Sequence, residues 1–404
     1  MRAYERLVRY AKVYTTSDPD SETVPSTERQ FDLARLLADE MKSLGIKDVT
    51  VTDKCYVTGI LPAAKGCEDA AHIGFIAHMD TAPDYAGENV HPVLHENYDG
   101  EAIDLGNDLV LDPENFPDLK EMKGKTLITA DGTTLLGADD KAGIAEIMTM
   151  AESLVSGNIP HGQISIAFTP DEEIGSGAAW LDLDAFAADY AYTVDGGYKG
   201  EITYETFNAA QAEFSITGFA VHPGSAKGLM VNAALVACEI NSMLPAGDIP
   251  RLTEGYEGFF HLCDMKGDVS RASMTYIVRD HKESNFNARL DTLHHIEKTL
   301  NEKYGEGTVH LTIKMQYKNM EEMIRPCMHL VENAKKVMLG LGVEPDTSPV
   351  RGGTDGSELS FRGLPCPNLG TGGYGYHGPY EHIAAEDMDT VTDILLGIVK
   401  TYAK

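Results

Sequence analysis

Short apolar runs and helical patterns alternate along the first 205 residues. Each run has the length and composition of a buried strand, whereas residues 142–154 repeat apolar side chains at helical spacing. This alternation predicts an α/β layer architecture with a central sheet. The predicted strands are residues 57–61, 73–77, 164–168 and 190–194.

The pattern changes at about residue 206. From there to residue 317 the chain predicts a strand, a helix, two strands, a second helix and a final strand. That order is typical of the split βαβ, or ferredoxin-like, unit, so we predict an inserted α+β domain at 206–317. After residue 318 helix and loop patterns resume, and the chain ends in a predicted helix from about 387 to 403.

Composition narrows the function classes. The 404 residues exceed the ~250 to 300 at which one hydrophobic core usually stops growing, so two domains are expected. With 33 basic and 63 acidic residues the formal net charge is -30, which argues against nucleic acid or an anionic membrane as a partner. We find no apolar stretch of membrane-spanning length and no secretory leader, so we expect a cytoplasmic protein.

Residues of metal-binding types follow several predicted strands. His78 follows the run 73–77, Asp195 follows 190–194, and a pair of glutamates comes just after 164–168. In open α/β sheets ligands bind beyond the carboxyl ends of strands, so these side chains are expected to share one crevice. The candidate clusters are His78-Met79-Asp80, Asp139-Asp140, Glu172-Glu173, Asp195 and His377.

The position of His377 decides the domain organisation. It lies beyond the inserted domain, whereas the other candidates precede it. If the site is real, 1–205 and 318–404 therefore form one discontinuous metal-binding domain that a lid-like domain at 206–317 interrupts. Taken alone, each cluster is explained as simply by a turn or a helix cap.

The chemistry of these residue types points to a pair of divalent cations. Histidines with carboxylates suit zinc, cobalt or manganese, and five ligands with one shared carboxylate can hold two ions ~3.5 to 4 Å apart. Either Glu172 or Glu173 could then bind a cation while the other moves a proton, and Asp80 could orient His78. Spacing alone does not decide whether Asp139 or Asp140 would bridge.

Other signatures are missing or misleading. The chain has no HExxH and no GxSxG, which removes the common single-zinc and serine hydrolase signatures. Residues 370–375 match GxGxxG formally, but a dinucleotide site requires a helix directly afterwards, and His377-Gly378-Pro379 discourages one.

The clusters lie in longer motifs: IAHMDT at 76–81, LGADDKAG at 136–143, FTPDEE at 168–173 and TVDGG at 193–197. Further motifs are VHPG at 221–224, RGGTDG at 351–356 and YHG at 376–378. Together they resemble the M20 family of metallopeptidases, which includes carboxypeptidases, dipeptidases and aminoacylases. The likeness covers the whole chain and is strongest to the tripeptide-aminopeptidase branch. It implies a zinc-peptidase-like catalytic domain, with a central mixed sheet and helices on both faces, and a ferredoxin-like lid.

The resemblance also implies the metal ligands. His78, Asp139 and Asp195 would bind one zinc ion, and Asp139, Glu173 and His377 the other, so that Asp139 bridges. Glu172 would be the general base, and Asp80 would support His78. In the family the peptide bond between the residues matching Asp139 and Asp140 is often cis. Cobalt or manganese could replace the two zinc ions.

For the substrate, the resemblance implies a contribution from the lid. His222 matches a lid histidine that helps to hold the carbonyl oxygen in the transition state. Arg279 and Arg351 are candidates for binding a peptide carboxylate, which an arginine can do with two parallel hydrogen bonds. For Arg279, a surface charge at a strand end is almost as good an explanation. M20 enzymes are often dimers through the lid, so a homodimer is a further expectation.

The function expected from these features is that of a dinuclear zinc aminopeptidase that hydrolyses the N-terminal residue from tripeptides. One alternative is a related M20 amide hydrolase: a dipeptidase, a carboxypeptidase or an N-acyl amino acid deacylase. Another is a peptide-binding protein that no longer hydrolyses. The segment 82–134 could supply recognition of the substrate amine through Asp84, Glu88 or Asn89, but one sequence does not choose among them.

Overall fold

The helices and strands follow the predicted alternation closely. The computed structural model describes residues 1–403 of the chain. The helices are α1 (Ala3–Tyr10), α2 (Gln30–Ser43), α3 (Ala138–Gly157), α4 (Leu183–Phe186), α5 (Ala233–Met243), α6 (Glu283–Tyr304), α7 (Glu321–Ile324), α8 (His329–Gly340), α9 (Asp355–Phe361) and α10 (Ala385–Tyr402). The strands are β1 (Lys47–Val51), β2 (Val57–Leu61), β3 (Ile73–His78), β4 (Val93–His95), β5 (Ile103–Gly106), β6 (Leu109–Leu111), β7 (Leu127–Thr129), β8 (Ile164–Thr169), β9 (Tyr190–Val194), β10 (Ile202–Thr203), β11 (Asn208–Thr217), β12 (Phe259–Gly267), β13 (Arg271–Asp280), β14 (Val309–Tyr317), β15 (Asn368–Leu369), β16 (Gly373–Tyr374) and β17 (His382–Ala384).

A seven-stranded mixed sheet carries the candidate site. Its strand order is β1-β2-β8-β3-β9-β15-β10, and the four inner strands β8, β3, β9 and β15 run parallel. The other three pair antiparallel with their neighbours. All residues of β3 and β8 are buried, as expected for parallel strands covered on both faces. Their carboxyl ends therefore open at one edge of the sheet.

Helices cover this sheet on both faces, which confirms the predicted fold class. On one face Ile76 and Ala167 pack in a cluster with Phe186 of α4 and Leu359 of α9. Tyr192 lies on the other face of β9, because successive strand residues alternate, and its hydroxyl donates to the Leu330 carbonyl of α8 at 2.9 Å.

Several parts of the fold carried no prediction. Among them are the helix α1 and a second antiparallel sheet, β16-β17-β7-β4, assembled from distant segments. This sheet packs over a small apolar cluster that includes Leu119 and Leu127. It brings the stretch after His377 beside residues 127–129, which lead into the loop that carries Asp139.

The chain divides into two compact units. Residues 1–204, 323–347 and those from 354 onwards form unit 1, and residues 205–322 and 348–353 form unit 2. The division differs from the predicted domains at residue 205 and at 318–322 and 348–353, all of which group with unit 2. Segment 348–353 is attached there because Phe207 N–H donates to the Gly352 carbonyl and Val350 N–H to the Glu205 carbonyl.

Unit 2 has the predicted ferredoxin-like topology. Its antiparallel sheet has the order β12-β13-β11-β14, and α5 and α6 supply the two helices of the βαββαβ sequence. Alternate residues of β11, such as Phe214 and Ile216, are buried against those helices, whereas Glu213 and Ser215 are exposed. Among residues 1–403, no helix combines the length and apolarity that a membrane crossing requires.

Candidate metal centre

His78 ends the buried strand β3 at the carboxyl edge of the large sheet. Its Nδ1 lies 3.1 Å from the Asp80 carbonyl oxygen and 3.3 Å from the Asp80 carboxylate. An Nδ1–H donated to these acceptors leaves Nε2 with its lone pair available. That nitrogen is 3.0 Å from Oδ1 of Asp139 and 3.8 Å from Oδ1 of Asp195. His78 is thus presented as a ligand whose tautomer is fixed from behind.

Asp139 lies between two imidazoles. Its Oδ1 faces His78, and its Oδ2 is 3.4 Å from Nε2 of His377. This nitrogen of His377 is also 3.0 Å from Oε2 of Glu173. One carboxylate therefore directs one oxygen to each histidine, which is the arrangement that a bridging ligand requires.

The neighbouring Asp140 is used differently. Its Oδ2 accepts from the His78 backbone N–H at 3.1 Å, and its Oδ1 accepts from Gly143 N–H at 3.2 Å. The peptide bond between Asp139 and Asp140 is cis, as the family resemblance implied. Because backbone amides occupy both oxygens of Asp140, the geometry favours Asp139 as the shared ligand.

Asp80 organises the turn that carries the two glutamates. Its Oδ1 accepts from Glu172 N–H at 3.0 Å, and its Oδ2 accepts from Glu173 N–H at 3.2 Å. The Asp80 side chain is fully buried. It therefore supports both the imidazole of His78 and the backbone of Glu172 and Glu173, a wider role than the sequence indicated.

The cluster fits divalent cations. Two groups of three residues each bring possible ligand atoms within 4.8 Å of one another: His78 with Asp139 and Glu173, and His78 with Asp140 and Asp195. Asp140 belongs to its group by distance alone, since both of its oxygens already accept backbone amides. Oε1 of Glu173 is buried without a hydrogen-bond partner among the described residues. A buried carboxylate oxygen with no donor is costly, and a bound cation would remove that cost.

The electrostatics of the cluster point the same way. Burial raises the pKa values of Glu172 and Asp195 well above the usual range, and neighbouring carboxylates add to the effect. Hydrogen bonds to Asp139 and Glu173 raise the pKa of His377 to about 11. The carboxylates outnumber the imidazoles in this cluster, and the protonation of each group depends on that of its neighbours. Cations in this space would keep the carboxylates ionised and displace protons from the imidazoles, since metal ligands must be deprotonated.

Several residues around the site were missed. Asp171 accepts from Ser26 N–H, from the Ser26 hydroxyl and from Gln30 Nε2, and so holds the residue just before Glu172. Asp355 accepts from the Thr169 hydroxyl at 3.0 Å, and burial raises its pKa to about 7. Asp171 and Asp355 stand in the FTPDEE and RGGTDG motifs. Their contacts join segments far apart in sequence, however, and the motifs gave no sign of them.

Glu381 was also missed, although it follows His377 by only four positions. Its buried carboxylate accepts backbone amides from the loop that carries Asp139. A glutamate at this position looks like an ordinary strand-end residue in the sequence.

The three predicted substrate-binding residues lie in unit 2. His222 is exposed, and its Nδ1 accepts from Gly224 N–H at 3.1 Å. Arg279 donates from Nη1 to the carbonyls of Ala210 and Val278 and lies over the ring of Tyr317. Its guanidinium is thus partly engaged within its own sheet.

Arg351 is also engaged within unit 2. Its Nη1 donates to the carbonyls of Gly255 and Glu257, and its Nη2 donates to the Thr253 hydroxyl. The guanidinium lies over the rings of Phe207 and Phe259. A substrate-binding role for Arg279 and Arg351 stays a prediction.

A family profile described as peptidase family M20/M25/M40 matches residues 129–401. The chain belongs to the M20 family. Peptidase T of Clostridium perfringens strain ATCC 13124 is 52% identical over 405 residues, an alignment that covers 100% of this chain and 99% of that protein. The M20 chain is therefore an enzyme, a peptide hydrolase of the metallo-aminopeptidase class.

Solved structures share the M20 fold. The aminopeptidase PepT of Bacillus cereus superposes with a TM-score of 0.80 at 24% identity, covering 100% of this chain and 98% of that one. A Bacillus subtilis protein described as a dinuclear metal-binding peptidase of the M20 family gives a TM-score of 0.66 at 14% identity, covering 99% and 98%. The expected cytoplasmic location and homodimer stay predictions.

Proposed function

We propose that this M20 chain is a dinuclear zinc aminopeptidase that removes the N-terminal residue from tripeptides. The observation that carries the proposal is the Asp139 carboxylate, which directs one oxygen to His78 and the other to His377. The full-length identity of 52% to a protein named Peptidase T supports the choice of aminopeptidase over the other M20 activities.

The proposed ligand sets are those that the M20 resemblance implies, and these contacts support them. His78, Asp139 and Asp195 are assigned to one cation, and Asp139, Glu173 and His377 to the other. Three carboxylates supply three negative charges against the four positive charges of two divalent ions, so the site can take a further anionic oxygen at low electrostatic cost. When bound, such a pair supplies a nucleophilic water at neutral pH and polarises a carbonyl.

Glu172 is assigned as the general base. The Glu172 carboxylate belongs to neither of the two groups of possible ligands around His78. The Glu172 backbone N–H donates to Oδ1 of Asp80 at 3.0 Å. The carboxylate is therefore available to take a proton from the attacking water and to return it to the leaving amine of the dipeptide product.

His222 is assigned to the substrate carbonyl. Because its Nδ1 accepts from Gly224 N–H, the neutral ring carries its proton on Nε2. An exposed Nε2–H is a donor free to stabilise negative charge on the carbonyl oxygen in the transition state. Arg279 and Arg351 are kept as proposed partners of the peptide carboxylate; binding there would require each to exchange some of its present backbone contacts.

The experiment that tests the proposal is a product assay by mass spectrometry. The zinc-loaded enzyme is incubated with a tripeptide of three distinguishable residues, its N-acetylated form and a dipeptide, beside a chelated sample. We expect release of the first residue from the free tripeptide alone, and only with metal. Cleavage of the acetylated peptide or of the dipeptide would instead indicate a deacylase, carboxypeptidase or dipeptidase, and no cleavage would indicate a binding protein.

The choice of zinc has its own test. Metal analysis of the purified enzyme should give two zinc ions per chain, and cobalt or manganese should restore activity to chelated protein to a different extent. A preparation that is fully active with one ion per chain would contradict the dinuclear assignment.

A further inference from the structure

Glu381 is a buried carboxylate that faces the loop before Asp139. Its Oε2 accepts from Leu136 N–H at 2.8 Å and from Gly137 N–H at 2.7 Å, and its Oε1 accepts from Asp139 N–H at 2.8 Å. The residue is 1% exposed. With three donors in front of it, the carboxyl acts as an acceptor through both oxygens.

The loop requires such an acceptor. The first amides of a helix have no partner within the helix, and Gly137 and Asp139 stand at the start of α3. The backbone is irregular there: Gly137 has φ 76°, and Asp139 and Asp140 have non-helical angles. A negative charge at this end of a helix also interacts favourably with the helix dipole. The orientation of the Asp139 backbone therefore depends on a side chain 242 positions away.

Glu381 is itself firmly placed. The next residue, His382, begins β17, which pairs with β7 and β16. The His382 ring is fully buried, with Nε2 2.6 Å from Oδ2 of Asp118 and Nδ1 2.6 Å from the Tyr380 carbonyl. A ring held at both nitrogens leaves the adjoining backbone little freedom, so the carboxylate of Glu381 comes to the loop in one position.

From this geometry we infer that Glu381 is a positioning residue: by binding three backbone amides it fixes the Asp139 carboxylate between His78 and His377, and thereby sets the affinity for the metal pair. The inference rests on the proposed function, since it takes Asp139 as the shared ligand. Backbone amides engage both oxygens of Glu381, so we assign it no direct contact with substrate or cation. Its effect should therefore appear in metal binding and in kcat, with little effect on KM.

The test is Glu381→Gln. Glutamine has the same size but only one acceptor oxygen, and its amide donor would face a backbone N–H. Residues that support metal ligands typically contribute ~10 to 100-fold in metal affinity or activity. We expect zinc affinity, measured by competition with a chromophoric chelator, to fall by that factor. The value of kcat at limiting zinc should fall, KM for the tripeptide should stay within about twofold, and excess zinc should restore part of kcat.

Glu40→Gln is the matched control. Glu40 is a buried carboxylate of unit 1 that also accepts from three donors: Nε of Arg6, Nη1 of Arg9 and the Tyr10 hydroxyl. Its loss should lower the melting temperature, measured on chelated protein, and leave zinc affinity unchanged. If Glu40→Gln weakens zinc binding as much as Glu381→Gln does, the effect is general destabilisation and the inference is wrong.

The remaining outcomes separate the inference from the proposed function. A wild-type protein that binds no pair of cations would remove the proposed function itself. If the wild type binds two cations and Glu381→Gln binds them with equal affinity, only the inference is overturned. If Glu381→Gln does not fold, Asp118→Ala decides, because it loosens His382 from outside the loop: weaker zinc binding supports the inference, and unchanged binding contradicts it.

Discussion

The two units of this enzyme have cores of different chemistry. Unit 2 packs an apolar cluster, including Phe214, Met274 and Leu293, between one sheet and two helices. Its buried carboxylate Asp280 is paired with Arg289. Unit 1 buries carboxylates at the strand ends of its large sheet, among them Asp80 and Asp171. Burying a charge is costly unless it is paired or hydrogen-bonded, so carboxylates gathered in one interior indicate chemistry and not stability.

The buried carboxylates of unit 1 also differ among themselves. Asp80, Asp171 and Glu381 accept backbone amides and so fix loops. Asp139 and Glu173 instead face histidines, and one oxygen of Glu173 has no partner among the described residues. The comparison separates carboxylates that the fold itself satisfies from those that fit a cation.

The sharpest test of this division is Glu172→Gln in unit 1. Removal of a general base typically lowers turnover ~10² to 10⁴-fold, and we expect a loss in kcat of that size with both cations retained. Glu201→Gln, a largely buried carboxylate that accepts from the Thr203 hydroxyl, is the control and should stay active. A fully active Glu172→Gln enzyme would remove that residue from the proton-transfer role.

A second test asks whether unit 2 takes part in the chemistry. His222→Ala should lower kcat ~10² to 10³-fold, the usual effect of losing one donor to a developing oxyanion, while zinc affinity stays unchanged. His310→Ala removes another exposed histidine of unit 2 and should have no effect. Steady-state kinetics on the tripeptide decide, and equal rates for both variants would confine the chemistry to unit 1.

A third test separates the apolar core from the metal site. Phe214→Ala should cost ~3 to 5 kcal/mol of the free energy of unfolding, because it leaves a cavity in the core of unit 2. All five proposed metal ligands belong to unit 1, so zinc affinity of the folded variant should not change. Phe219→Ala, at a residue 58% exposed, should be nearly neutral in denaturant unfolding. A joint loss of stability and zinc binding would argue that the two cores are not independent.

The smallest expected effect concerns pH. Burial lowers the pKa of His281 in unit 2 below its usual 6.5, and the ring packs against Phe207. As the pH falls, His281 therefore binds a proton at a higher pH in the unfolded chain than in the folded chain. Stability is therefore complete above about pH 6.5 and falls as the pH drops below that value.

His281→Phe should flatten this slope. Denaturant midpoints measured between pH 7.5 and 5.5 would show the difference, compared as slopes because the variant also loses the contact of Nε2 with the Val350 carbonyl. An unchanged slope would assign the pH dependence to other groups.

Much of the fold follows from local pattern. The predicted strands 57–61 and 190–194 have these bounds in the structure, and the βαββαβ order of 206–317 gives the sheet of unit 2. Strands and helices are visible in one sequence because alternation and helical spacing act over a few residues. Placing His78 and Asp195 at strand ends was enough to expect a shared crevice.

The sequence by itself therefore determined the layers, the inserted unit and the identity of the groups that could hold cations. Only the tertiary structure decided which oxygen faces which nitrogen: that Asp139 faces both histidines while Asp140 accepts amides, and that Glu381 holds the loop of Asp139. It also attached Arg351 to unit 2. These outcomes depend on contacts between segments up to some 240 positions apart. The packing of the whole sheet sets the geometry of such contacts, so they leave no local pattern in the chain.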